Sequence, residues 1–246
     1  MNKIGWCNLT WNPVWGCNNH CEYCYARGIA KRFWRRIWMN EANQQWKEHP
    51  IWAWTGDHLE GLIDFKPTWL EAQFKKKFPK KPQRIFVGSM SELKYWKPEW
   101  IRDTLDKILE YPQHTFQFLT KFPDIYSQWY FHPNCWLGVT ITKNDNTFNG
   151  IYDFLRRNDS NIKYLSFEPL LENILDYKLI KYFDWVIIGA ETGNRKGKVI
   201  PKKQWVWDIV RYCQTNNIPV YIKDSIGKLY SQFGGIKEFP NLGDKK

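Results

Sequence analysis

Nowhere does the chain approach the roughly 20 consecutive apolar residues that a membrane-crossing helix takes. Its opening residues, Met-Asn-Lys-Ile-Gly-Trp, lack the apolar stretch of a secretory leader. A soluble cytoplasmic protein with no membrane partner is therefore expected. Gly/Ser-rich linkers, internal repeats and low-complexity tracts are missing as well, so nothing marks a junction between independent modules. Acidic residues are scarce beside basic ones, 25 against 36, which leaves a net charge of +11. Of the 6 cysteines, Cys7, Cys135 and Cys213 stand alone, in strand or helix patterns where a free thiol packs as a small apolar side chain.

What the chain does have is 43% apolar content over 246 residues, enough for a sizeable core in one large α/β domain or two small ones. Short β-rich apolar runs recur at Ile4 to Thr10, Arg84 to Gly88, Thr115 to Thr120, Trp136 to Ile141, Lys163 to Phe167, Trp185 to Gly189 and Pro219 to Lys223. They have the character of strands buried on both faces. Helical periodicity fills the intervals, as in Pro98 to Tyr111 and Pro201 to Asn216. This alternation predicts βαβ units and a parallel sheet of six or seven strands, a partial (β/α) barrel, with an open doubly wound sheet as the alternative. Residues 39–80 fit the rhythm least. They are expected to form a Trp-rich insertion with one short strand near Leu62 to Phe65.

The remaining cysteines, Cys17, Cys21 and Cys24, are crowded into eight residues between the end of the first expected strand and an expected helix. Three thiolates spaced Cys-x-x-x-Cys-x-x-Cys can hold three corners of a cubane [4Fe-4S] cluster and leave its fourth iron open to substrate. An electron-transfer cluster wants a fourth cysteine, and a structural zinc wants a second ligand pair; neither appears at suitable spacing. Zinc completed by His20 or Glu22 is the alternative, although neighbouring His20 and Cys21 are poorly set to face one ion.

This motif, following the first strand of a βα-alternating chain, resembles the radical SAM (S-adenosylmethionine) superfamily, in which an aromatic residue precedes the last cysteine as Tyr23 does here. Nearly the whole chain further resembles a phage-type family of uncharacterised three-cysteine-motif proteins, often found in phage and mobile elements. The likeness is carried by Thr10 to Pro13, Gly16 to Ala26, Phe65 to Pro67, Arg84 to Glu92, Pro112 to Lys121, Cys135 to Val139, Leu165 to Leu171 and Trp185 to Gly193. Many of those relatives have a longer gap between the first two cysteines, whereas this chain keeps the short radical SAM spacing. At the end of the last strand, Lys223 to Gly227 keeps the family's lysine and glycine but lacks the glutamine and tryptophan common there.

The resemblance implies one radical-SAM-like barrel domain over residues 1–246. It also implies a [4Fe-4S] cluster on Cys17, Cys21 and Cys24, with SAM chelating the open iron and cleaved on reduction to methionine and a 5′-deoxyadenosyl radical. In such a barrel functional groups gather where strands end. Ser89, Ser91 and Glu92, after the second strand, correspond by resemblance to the site for the SAM amino group. Glu168 and Glu191 stand just beyond apolar strands, where a carboxylate needs a partner. SAM is one candidate, and an ion pair with Lys121 or Lys223 the other. An electron donor such as flavodoxin or ferredoxin, and a separate three-Cys-motif partner protein, are implied in the same way.

The densest basic stretch runs from Phe65 to Arg84, with Lys66, Lys75, Lys76, Lys77, Lys80, Lys81 and Arg84 against Glu71 alone. Together with 16 tryptophans it suggests nucleic acid or a nucleotide as substrate. The competing function is a non-enzymatic zinc or iron-sulfur protein that binds nucleic acid.

Overall fold

The computed structural model describes residues 4–48, 56–144, 150–157, 160–174 and 177–241. The chain separates into two compact units, Met1–Leu119 and Thr120–Lys246.

In the first unit, β1 (Leu9–Trp11) is followed by the short β2 (Val14–Trp15), the long helix α1 (Tyr25–Glu48), β3 (Thr68–Trp69), the single turn α2 (Glu71–Phe74), β4 (Arg84–Val87), α3 (Pro98–Leu109) and β5 (Thr115–Thr120). β1, β4 and β5 lie side by side and parallel, with Leu9 opposite Ile85 and Ile85 opposite Phe116. α3 crosses from β4 to β5. Pro98 suits its first position, where the missing N–H is no loss, and Ile101, Leu105 and Ile108 form its buried stripe. Trp11 is fully buried between Phe74, Phe78 and Phe116, with the Lys107 ammonium 5.6 Å from its ring. Burial pulls the Lys107 ammonium below its ordinary value.

β2 and β3 pair antiparallel, Val14 against Trp69 and Trp15 against Thr68, which brings the start of the cysteine loop against residues far away in sequence. α1 buries Ala26 and Ala30 against Leu59, Leu62, Phe65, Leu70, Met90 and Trp15. Two corrections to the sequence reading follow. The expected insertion does not begin as a separate element, because α1 continues through residues 39–48. The strand expected at Leu62 to Phe65 is instead the end of a 3-10 turn, Gly56–Leu62, and a reversal; the paired strand is Thr68–Trp69. Phe65 takes a left-handed φ of 58°, which ends extended structure there. Residues 49–55 of the expected insertion lie outside the described residues.

In the second unit, β6 (Cys135–Thr140), β7 (Ile162–Phe167), β8 (Trp185–Ile188) and β9 (Val220–Ile222) pair in succession, all parallel. α4 (Ile151–Arg157) joins β6 to β7, α5 (Lys203–Thr215) joins β8 to β9, and the one-turn α6 (Asp224–Gly227) follows β9. Every residue of β6, β8 and β9 is buried, as expected of strands covered on both faces. Among the described residues the first unit thus has three parallel strands and the second four, seven in all, where the sequence rhythm predicts six or seven. Among the described residues no helix is long and apolar enough to cross a membrane.

Candidate metal centre

The three clustered cysteines occupy the loop that leaves β2 and enters α1. That loop is tied down by backbone bonds at its entrance: Gly16 N–H donates to Met90 O at 3.0 Å, and Cys17 N–H to Phe65 O at 2.8 Å. Gly16 is required here. Its φ is +106°, and a Cβ would lie 2.0 Å from the Lys66 carbonyl oxygen. Cys21 O accepts from Cys24 N–H at 3.1 Å, closing the turn that starts α1.

Each of the three sulfurs accepts an N–H. The Asn19 backbone N–H donates to Cys17 Sγ at 3.3 Å, the Asn19 side-chain amide to Cys21 Sγ at 3.3 Å, and the Arg27 backbone N–H to Cys24 Sγ at 3.4 Å. Arg27 also holds the loop with its guanidinium, which reaches Cys17 O at 3.4 Å and His20 Nδ1 at 3.3 Å and lies 5.3 Å from the Phe65 ring centre. His20 takes a left-handed φ of 48° in the turn between Cys17 and Cys21. Cys17 and Cys24 pack on the apolar cluster beneath them, and burial pushes the Cys17 thiol up to about 11, with nearby Glu92 adding to the rise. A free thiol so placed stays protonated; a bound metal would displace that proton.

Three cysteines on one loop, each sulfur accepting an N–H, are a donor set compatible with a cubane cluster. Among the described residues no group of three or more His, Cys, Asp or Glu side chains stands ready to hold a metal ion. A cubane takes one thiolate per iron, spreads its ligands more widely, and is stabilised by N–H donors to sulfur. Cys7, Cys135 and Cys213 are all buried, and burial pushes the last two up to about 12.

Beside the cysteine loop stands the end of β4. Asn12 Oδ1 accepts from Ser89 Oγ at 3.0 Å and from Met90 N–H at 3.2 Å. Ser91 Oγ accepts from Trp96 Nε1–H at 3.0 Å, Gly16 and Ser91 form a parallel bridge, and Tyr25 Oη donates to Ser89 O at 2.9 Å. Ser89, Ser91 and Glu92 are thereby brought next to the thiols within one unit. Glu92 is buried, and its charge adds to the rise that burial gives both Cys17 and Tyr95. Tyr23 is half-buried within the loop. Trp15 is buried beneath the loop, its indole N–H without a partner among the described residues.

In the second unit Glu168 forms an ion pair with Lys223. Gly189 makes room for it, since a Cβ there would sit 3.0 Å from Glu168 Cγ and 3.1 Å from Lys223 Cδ. Glu191, buried, is gripped by Arg195 through Nε at 2.7 Å and Nη2 at 2.8 Å, and also accepts from Val199 N–H at 3.3 Å. The Arg195 bonds hold its carboxyl below the ordinary range. Arg195 is a residue that sequence reasoning did not single out. It also passed over Gln117, in the middle of β5, which is fully buried with both side-chain polar atoms unpartnered among the described residues. An amide so placed calls for a trapped water or a ligand.

The family described as "Protein of unknown function (DUF5131)" matches residues 1–234. The chain belongs to that family. No curated protein matches it. Among solved structures it is similar to a double mutant of spore photoproduct lyase with bound AdoMet and dinucleoside spore photoproduct. The two share 10% identity and a TM-score of 0.52, over 87% of this chain and 75% of that one. Identity so low establishes the fold alone, an α/β partial barrel.

Proposed function

We propose that this protein is a radical SAM enzyme whose substrate is a nucleic acid or nucleotide. The observation that supports it best is the thiol loop: three cysteines at Cys-x-x-x-Cys-x-x-Cys spacing, each sulfur receiving an N–H, on a fold shared with a radical SAM lyase. When bound, a [4Fe-4S] cluster and SAM supply reductive cleavage to methionine and a 5′-deoxyadenosyl radical, which abstracts hydrogen from the substrate.

The chain's own part is to bind, orient and exclude water. Cys17, Cys21 and Cys24 hold three irons, while Asn19 and Arg27 supply the donors that offset thiolate charge. Asn12 fixes Ser89 and Met90 so that the end of β4 presents Ser89, Ser91 and Glu92 toward SAM, with Glu92 matched in charge to its ammonium. Glu168 and Glu191 are assigned to SAM as well, each keeping its cation, Lys223 or Arg195, as a support that fixes the carboxylate's direction. Net charge of +11 and a structural neighbour solved with bound dinucleoside spore photoproduct support the substrate class. A low-potential donor such as flavodoxin or ferredoxin supplies the electron, and a three-Cys-motif protein is a proposed partner.

Anaerobic purification followed by metal analysis tests this reading, with about four irons per chain expected. Cys17→Ala, Cys21→Ala and Cys24→Ala should each lose that iron, whereas Cys7→Ala, Cys135→Ala and Cys213→Ala should keep it. Reduced protein incubated with SAM should release 5′-deoxyadenosine even without substrate. Stoichiometric zinc in the wild type, or full iron in Cys21→Ala, overturns the assignment in favour of a metal-stapled binding protein.

A further inference from the structure

α1 begins at Tyr25, directly after the last cysteine of the loop. From Tyr25 to Asn40 it contains Arg27, Lys31, Arg32, Arg35 and Arg36 and neither Asp nor Glu. The other amphipathic helices differ. α3 mixes Arg102 and Lys107 with Glu99, Asp103 and Asp106, and α5 sets Asp208 beside its Lys203 and Arg211. Arg27 is used by the thiol loop, but Lys31, Arg32, Arg35 and Arg36 are exposed, and among the described residues none of the four forms an ion pair.

Two of their spacings, Lys31 to Arg35 and Arg32 to Arg36, are like-charge pairs one turn apart. Each costs an isolated helix about 0.2–0.5 kcal/mol. The opposite face of α1 is already committed to the core through Ala26 and Ala30, so the basic face is not the rim of a membrane-inserting helix. Aromatic rings interleave with the cations: Arg32 lies 5.9 Å from the Phe33 ring centre and Arg35 5.3 Å from that of Trp34, and Phe33 is 45% exposed.

We infer that the outer face of α1, formed by Lys31, Arg32, Arg35 and Arg36, grips the phosphates of a single-stranded nucleic acid and leads it to the thiol loop. At 1.5 Å of rise per residue, Lys31 and Arg36 stand about 10 and 18 Å along the helix from Cys24, a span of two or three nucleotides. Phosphates would neutralise cations that no carboxylate among the described residues meets, and the Phe33 ring offers a base a stacking surface. The lysine-rich segment between Lys75 and Lys81 is the weaker candidate, because Lys75 is already tied to Glu71 at 3.1 Å. This inference rests on the nucleic-acid reading of the substrate and is independent of the cluster.

The test is fluorescence anisotropy of labelled single-stranded DNA and RNA oligonucleotides, titrated with cluster-loaded protein between about 50 and 200 mM salt. Three proteins are compared: wild type, R32Q/R35Q/R36Q, and a charge-matched K75Q/K76Q/K77Q. Losing three phosphate contacts should flatten the log–log salt slope by about 2 and weaken binding roughly 30- to 100-fold at ~0.1 M salt. The lysine variant should change much less. Iron content and melting temperature check that each variant is folded, and Arg35→Glu alone, which removes no helix former, should show a smaller loss in the same direction. A wild-type slope in R32Q/R35Q/R36Q, or equal losses in both triple variants, overturns the α1 assignment and leaves the substrate class standing. If the wild type binds neither oligonucleotide but binds vesicles of anionic lipid or polyglutamate, both the α1 assignment and the nucleic-acid reading fall, while the iron measurement still decides the cluster.

Discussion

Replacing Asn19 with alanine removes one hydrogen bond from the thiol loop and leaves its backbone intact. The Asn19 side-chain amide reaches Cys21 Sγ at 3.3 Å, and the bond from the Asn19 backbone N–H to Cys17 Sγ survives the change. A hydrogen bond to a charged group is worth about 1.5–3 kcal/mol, and the long N···S contact places this one near the lower end. Only the difference between the two redox states moves a potential. The reduced cluster is the more negative and gains more from the donor. If a third to a half of the bond is differential, the reduced state loses about 0.5–0.8 kcal/mol, which at ~59 mV per tenfold is a fall of about 20–35 mV. Asn19→Asp should lower the potential further, since it sets a carboxylate where the donor was. The assay is an EPR-monitored potentiometric titration of reconstituted protein, with iron content measured on the same samples. An unchanged potential with full iron would show that the contact does not tune the cluster, and loss of iron would show that Asn19 builds the loop instead.

Glu168→Ala and Glu191→Ala should each weaken SAM binding, read by calorimetry, while leaving iron content unchanged; lowered melting temperature with normal binding would reduce them to ion-pair partners of Lys223 and Arg195. Gln117→Leu should raise stability if the buried amide holds only a water, but should weaken SAM or substrate binding if it holds a ligand, so paired thermal melts and binding isotherms separate the two. Glu41, buried in α1, caps α2 by accepting from Ala72 N–H at 2.9 Å, yet burial pushes its carboxyl up to about 7 from an ordinary 4.5. Its neutral form is the one the fold favours, so its stabilising contribution is complete below the ordinary value and is lost as pH rises through about 7. That amounts to roughly 3 kcal/mol. Urea melts at pH ~5 and ~8 should show this fall in the wild type and its absence in Glu41→Gln, and equal pH dependence would refute it.

The parallel strands were legible because burial on both faces leaves a dense apolar signature, as in Trp185 to Ile188. Thr115–Thr120 agrees with expectation at both ends. Residues 39–80 were misread for a physical reason. The face of α1 beyond Asn40 carries little apolar periodicity, and its buried contacts include the polar Glu41, so the sequence leaves no sign that residues 39–48 continue the helix. Thr68–Trp69 pairs for two residues only, too short to leave a period. At the candidate site, thiol spacing singled out Cys17, Cys21 and Cys24, which the structure places on one loop, whereas Asn19 and Arg27, the donors to their sulfurs, carry no signal beyond lying near them. Arg195 could have been found from its i,i+4 spacing to Glu191, had cations within the same loop been weighed beside Lys121 and Lys223.

The bonds that close the entrance to the thiol loop also dictate an order of maturation. Gly16 and Cys17 lean on Met90 and Phe65, residues that leave the ribosome long after the cysteines do. A nascent chain ending before Met90 therefore carries its thiols without the frame that aims them. Iron delivered to it meets three unconstrained cysteines open to oxidation or to a stray zinc ion. On the proposed reading, loading of a cluster would wait until the end of β4 has docked, and whatever delivers it would have to recognise a folded domain and not the short cysteine motif itself.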